Sequence, residues 1–215
     1  MNKRNFLKTG AALGAAALAA PYASQTIAQS GPGYQVIDPP LNKRVSDKVE
    51  VTEIFWFGCP HCFRFEPAIN EWKANLPDYV EFQREAPPLN NSWEPHSRAF
   101  YAAELMGVTD QFFDPMFNAI HVAKRPLRSP KQIVKFVDEL GIDSEKFSKT
   151  MDSFATNTRM NQAMQMAAGA GLSGVPSIIV NGKYLTGGSL AGSNENVIRV
   201  IDGLVAKEYE ILQAG

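Results

Sequence analysis

Cysteine is almost missing from this chain: 215 residues contain two, Cys59 and Cys62. That excludes a disulfide-stapled scaffold, and a chain of this length can bury a core without one. Histidine is scarce as well, with three residues, so a four-ligand structural zinc site has little to draw on. There is no basic surplus. Residues after position 30 carry 18 Lys and Arg against 22 Asp and Glu, a net charge of −4. A nucleic-acid footprint would need the opposite balance, so no nucleic-acid partner is expected. No apolar run approaches the ~20 residues of a membrane-spanning helix. What remains is 45% hydrophobic and 20% charged, the balance of a folded globular protein. Internal repeats and low-complexity tracts are lacking after residue 30.

Residues 1–30 read as a cleaved signal peptide. Lys3, Arg4 and Lys8 form a basic start, Ala11–Ala20 an apolar middle, and Thr26-Ile27-Ala28 or Ala28-Gln29-Ser30 a small-residue end. An uncleaved anchor or a buried alanine-rich helix explains this order less well. The stretch Lys3-Arg4-Asn5-Phe6-Leu7-Lys8 resembles a twin-arginine export signal with Lys3 in the first arginine position. Either export route leads out of the cytoplasm, where disulfides persist.

Residues 31–48, with Gly31, Pro32, Gly33, Pro39 and Pro40, read as an irregular lead-in holding one short strand at Tyr34–Ile37. Val49–Phe57 is rich in β-branched and aromatic residues and reads as a buried strand ending at Gly58. Pro60 fits the first turn of a helix, and Pro67 should kink that helix. Tyr79–Glu85 is a second strand. Ser92–Met106, Asp110–Ala123, Pro130–Leu140 and Ser144–Ser153 form a helical block without a strand candidate. A helix over Thr156–Ala170, a strand over Val175–Val180, an Asn181-Gly182 hairpin to Lys183–Thr186 and a helix over Asn194–Leu212 complete the chain. The order strand, helix, strand, helices, strand supplies the crossovers that parallel strands need.

The chemistry concentrates in Cys59-Pro60-His61-Cys62. A cysteine that follows a strand and opens a helix lies near unpaired N–H groups and the positive end of the helix dipole. Its thiolate is thereby favoured. Cys62 is about one helical turn on, so the two sulfurs can bond. Pro60 has no N–H and fixes the local backbone, and His61 can add a charge or hydrogen bond. Stabilising the reduced state makes the disulfide a good oxidant. Three other readings compete. A structural bridge over so short a loop contributes only about 2 kcal/mol. Zinc would need ligands beyond His61, and His96 and His121, which carry no motif and read as surface or helix residues, are not at ligand spacing. Two reduced core thiols fit poorly with export.

Glu53-Ile54-Phe55-Trp56-Phe57-Gly58-Cys59-Pro60-His61-Cys62, with Gly174-Val175-Pro176-Ser177 and Val180-Asn181-Gly182-Lys183-Tyr184, resembles the DsbA family of periplasmic disulfide oxidases. The resemblance spans essentially all of the chain after the signal. It implies an α/β fold: a thioredoxin-like domain over 31–91 and 154–215, interrupted by a helical insertion over 92–153. It implies an exposed, reactive Cys59, a buried Cys62, and a cis-proline at Pro176 that with Val175 offers backbone to a bound peptide; an ordinary trans proline at a strand start is the other possibility. Glu53 lies on an apolar strand, where an unpaired carboxylate is costly. It is a candidate proton acceptor for the cysteines, unless it stands exposed at a strand end. Glu66 and Arg84 match charged positions near the family's site, with a solvated surface role equally open. Trp56, Phe57, Phe63 and Phe65 could line a peptide groove or belong to the core.

The activity expected is donation of the Cys59–Cys62 disulfide to newly exported, unfolded cysteine-containing proteins in the periplasm. No cofactor or metal is expected beyond that disulfide. Reoxidation would come from a quinone-linked membrane partner resembling DsbB, and the protein is expected to be a monomer. A reductase or isomerase is the first alternative, although about eighteen residues before the first long strand leave no room for a dimerisation domain. A peptide-binding holdase with an incidental disulfide is the second.

Overall fold

The computed structural model describes residues 30–41 and 47–214. The signal reading over 1–30 lies outside the described residues except at Ser30, which pairs with Gln35 in β1 and β2. Six strands form one sheet in the order β1-β2-β6-β5-β3-β4: β1 (Ser30–Gly31), β2 (Tyr34–Val36), β3 (Val49–Ile54), β4 (Val80–Glu85), β5 (Ser177–Val180) and β6 (Tyr184–Gly187). The helices are α1 (Pro60–Ala74), α2 (Glu94–Met106), α3 (Thr109–His121), α4 (Pro130–Glu139), α5 (Ser144–Met151), α6 (Phe154–Gly169), α7 (Gly188–Ala191) and α8 (Asn194–Ala214).

Among the described residues only β3 and β4 are parallel, joined by the crossover α1. The expectation of further parallel pairing is corrected here, because β5 runs antiparallel to β3 and to β6. The tight turn at Asn181-Gly182, both residues at positive φ, forces the last two strands into a hairpin. The chain returns from α6 at the Gly174-Val175-Pro176 end, so β5 runs against β3. Strand β3 is buried at every position, as a central strand covered on both faces must be.

β3 ends at Ile54, three residues earlier than its composition suggests. Phe55 and Phe57 leave the sheet and enter the helical block. There Phe55 meets Phe100, Phe113 and Phe117 with ring centroids 5.0–5.9 Å apart, and Phe57 meets Phe112 and Phe117 at 5.7 and 4.9 Å. These tilted and edge-to-face contacts favour the positive ring edge over a neighbouring face. Phe57 and Phe65 are therefore core, whereas Trp56 and Phe63 are half-buried. α1 runs through Pro67 as one element. A capping box of Ser129 and Gln132 starts α4, and Asp143 and Ser153 cap α5 and α6.

Polar ties fasten the layers together. Tyr101 on α2 donates to Glu85 at the end of β4 at 2.7 Å and accepts from the Ala86 N–H at 3.0 Å. Arg159 on α6 bridges Glu85 and Glu104. On the other side of the sheet, Glu208 of α8 is wholly buried and accepts from Asn181 and, at 2.7 Å, from Lys183. Burial pushes that carboxyl up, but the Lys183 ammonium and the Asn181 amide hold it below its ordinary value. Its contribution is thus present above the unfolded carboxylate range and lost as pH falls through the lower folded value. Glu208→Gln should cost about 1–3 kcal/mol at neutral pH. Urea unfolding across a pH series should show the gap to the parent closing in acid; a gap independent of pH would mean the carboxylate charge is irrelevant.

Candidate functional site

The site sits where β3 gives way to α1. Cys59 has extended backbone, φ −84° and ψ 115°, and is the N-cap of α1, with Pro60 at the first helical position. A side-chain acceptor at this position normally satisfies an orphan N–H of the first turn. Here the acceptor is sulfur: the Cys62 N–H donates to Cys59 Sγ at 3.3 Å. Cys59 Sγ–H donates to the Val175 carbonyl at 3.5 Å.

The two sulfurs differ sharply. The contact with the Cys62 thiol lowers the Cys59 thiol most, and burial opposes it. The Cys62 and His61 backbone N–H groups then help bring it down to about 6. Cys62 is fully buried, and burial, reinforced by the neighbouring Cys59 and by the Glu53 charge, pushes its thiol far up. The expectation of an exposed Cys59 needs correction. Only 7% of its surface is open, because the sulfur turns back to cap its own helix and rests against Val175.

The Val175–Pro176 peptide bond is cis. Pro176 and Val175 line a cleft of about 520 Å³ beside the cysteines, together with His61, Ser173, Ser189 and Asn194. Cys59 reaches this wall through the Val175 carbonyl. His61 is exposed, and its Nδ1 lies 2.9 Å from Arg64 Nη2. A guanidinium only donates, so Nδ1 accepts and the ring proton sits on Nε2.

Glu53 is wholly buried, which excludes the exposed strand-end reading. Parallel register places it opposite Arg84, and Arg84 Nε donates to Glu53 Oε2 at 2.8 Å. α1 covers the same place with Glu66 and Asn70, which take Arg84 Nη2 at 2.9 and 3.2 Å. The guanidinium also lies 4.2 Å from the centre of the Phe113 ring. One arginine thus serves two buried carboxylates, and neither Glu66 nor Arg84 is a solvated surface group. Burial, with the Glu53 charge adding and Arg84 opposing, pushes the Glu66 carboxyl up to about 8. Two carboxylates on one cation cannot both ionise freely, and Glu66 retains the proton. Glu53 Oε1 has no hydrogen-bond partner among the described residues.

Several contributors escaped sequence reading. His96 is buried, not a surface group; its Nε2 meets the Leu127 carbonyl at 3.0 Å and burial lowers it to about 4. His121, at the end of α3, donates from Nε2 to the Phe57 carbonyl at 2.7 Å and stacks on Phe63. Trp56 stacks on Trp93 at 4.5 Å, and a Cβ at Gly58 would lie 2.3 Å from the Trp56 ring. Gly58 is thus needed for the chain to turn past Trp56 into α1. None of these contacts leaves a local sequence pattern, since each depends on how the helical block folds back.

Comparison with known proteins agrees with this geometry. A family model described as "DSBA-like thioredoxin domain" matches residues 87–193, and one for the twin-arginine translocation (TAT) pathway signal sequence matches residues 1–20. Thiol:disulfide interchange protein DsbA of Azotobacter vinelandii is 38% identical over 82% of this chain and 83% of its own length. The protein of that name from Pseudomonas aeruginosa is 36% identical over 83% and 85%. The crystal structure of Pseudomonas aeruginosa DsbA superposes with a TM-score of 0.80 at 35% identity, covering 85% of this chain and 95% of that one. DsbA from Xylella fastidiosa reaches 0.77 at 29% identity, covering 82% and 95%. Among the described residues no helix is long and apolar enough to cross a membrane. The chain belongs to the DsbA family of thiol:disulfide interchange proteins.

Proposed function

We propose that Cys59 is the sulfur attacked by substrate in this periplasmic oxidoreductase, which donates disulfides to exported proteins. The observation that carries this is the asymmetry of the pair: a Cys59 thiol lowered to about 6 beside a buried Cys62 thiol pushed far up. A substrate thiolate attacks Cys59 Sγ of the oxidised pair, the Cys59–Cys62 bond breaks, and Cys62 leaves and takes a proton. A second substrate thiolate then attacks the substrate's sulfur in the mixed disulfide. Cys59 departs as a stabilised thiolate, the substrate gains a disulfide, and two electrons remain on the protein. No cofactor beyond the cysteine pair takes part.

Val175 and Pro176 hold the substrate backbone along the cleft. Pro60 and His61 shape the turn whose N–H groups favour the Cys59 thiolate. Glu53 receives the Cys62 proton when the pair is reoxidised; its unpartnered Oε1 supports this role. Reoxidation falls to a quinone-linked membrane oxidase resembling DsbB. The substrates are unfolded, newly exported proteins with free cysteines, and the protein works as a monomer.

Cys59→Ser should abolish oxidation of a reduced, unfolded substrate, read as free thiols remaining; undiminished oxidation would sink the assignment. In the parent, alkylation of Cys59 should rise with pH through about 6, while Cys62 stays unreactive until the protein unfolds. The folded value is depressed, so the reduced form gains stability above the unfolded thiol range and loses it as pH falls through about 6. The disulfide form has no such proton. Paired urea unfolding of the two forms should therefore show the reduced form's advantage shrinking as pH drops through that window, and an advantage that grows in acid would contradict the thiolate assignment.

A further inference from the structure

The cleft beside Cys59 has a wall of mixed polarity. Serines 173, 177, 189 and 193, with Asn194, make up much of its wall, and His61 is its one ionisable lining residue. Arg64, exposed on the next turn of α1, bonds His61 Nδ1 at 2.9 Å, and its backbone carbonyl accepts from the Asn194 side chain at 3.3 Å. A full positive charge thus sits at the cleft mouth, and no carboxylate lines the cleft. On the other flank of the cysteine loop, His121 holds the Phe57 carbonyl and the Lys124 ammonium caps the His121 carbonyl at 2.7 Å. Glu71, Glu195 and Asp202 line a separate cleft between α1 and α8. In a chain with more acids than bases, this cleft has a cation at its mouth and no carboxylate in its wall.

We propose that this cleft favours extended substrate segments with an acidic residue flanking their cysteine, and that Arg64 is the selecting charge. The inference rests on the disulfide-donor reading of the same site and adds a substrate class to it. An extended peptide can run along the Val175 backbone in the manner of an added strand. Its cysteine then faces Cys59, and a flanking side chain comes near the His61–Arg64 pair. A guanidinium matches a carboxylate in shape and charge. At an exposed rim such a pair acts mainly on the rate of encounter.

The test uses the oxidised full-length mature protein and three dithiol peptides that differ only in Asp, Asn or Lys flanking the cysteine. Each rate is normalised to that peptide's reaction with a small neutral disulfide, which removes the flanking residue's effect on the thiol itself. Asp should exceed Asn, and Asn exceed Lys, by roughly two- to five-fold per step, the range an exposed ion pair supports. The spread should shrink at high salt. Arg64→Lys should keep the order and Arg64→Glu should invert it. Ratios are compared within each variant, so a change in redox poise cancels. Equal normalised rates in the parent would overturn the preference and leave disulfide donation standing. An order unchanged in Arg64→Glu would overturn Arg64 as its source. Failure to oxidise any peptide would overturn both readings.

Discussion

The hydrogen bond from the Cys62 N–H to Cys59 Sγ is the constraint around which the rest is arranged. It makes a sulfur the N-cap of α1. A helix start leaves N–H groups unpaired, and the cap is where an anion is best tolerated. Ionising Cys59 therefore completes the helix start, and oxidising it to a disulfide takes that anion away. Pro60 fits because its position needs no donor. Cys62 is carried one turn inward to full burial, where no water remains to support a charge.

Holding that cap in place requires both halves of the molecule. β3 delivers the chain to the edge of the sheet, and Phe55 and Phe57 then commit it to the helical block. Deleting either ring's contacts would cost core packing worth several kcal/mol by analogy with large-to-small substitutions. His121 grips the Phe57 carbonyl from α3, and Val175 meets Cys59 from the opposite side. The sulfur is thus placed by three segments far apart in sequence.

How much of this could be read from residue order follows from which forces are local. The strands other than β1, the crossover α1, the Asn181-Gly182 hairpin and the helices of the block were legible, because each rests on periodicity, caps or turn residues within a short window. The end of β3 was not. Phe55-Trp56-Phe57 looks like strand by composition, and only the aromatic interior of the helices draws it out of the sheet. The redox pair was legible from its place between strand and helix. The direction of β5 was not, nor was the Glu53–Arg84–Glu66 cluster as a unit. Arg84 and Glu66 look like surface residues until parallel register and the facing side of α1 bring them to one buried point. His96 does lie on a helix, α2, as one of its two readings has it, but nothing around it in sequence announces that the chain before α4 folds over it.

That buried cluster bears on the direction of electron flow. A thiolate at Cys59 is favoured by the helix start, and a thiolate at Cys62 is opposed by burial and by the negative charge of Glu53. In the reduced pair these preferences are compatible, since one sulfur is charged and the other protonated. Forming the disulfide gives up the favoured charge at Cys59. The reduced state is therefore the one the fold stabilises, and a protein that prefers its own dithiol passes its disulfide on. Reoxidation must run against that preference, and it needs the Cys62 proton removed inside the protein. A carboxyl that burial keeps protonated, as at Glu66, cannot accept that proton, which leaves Glu53 as the acceptor in the proposed cycle.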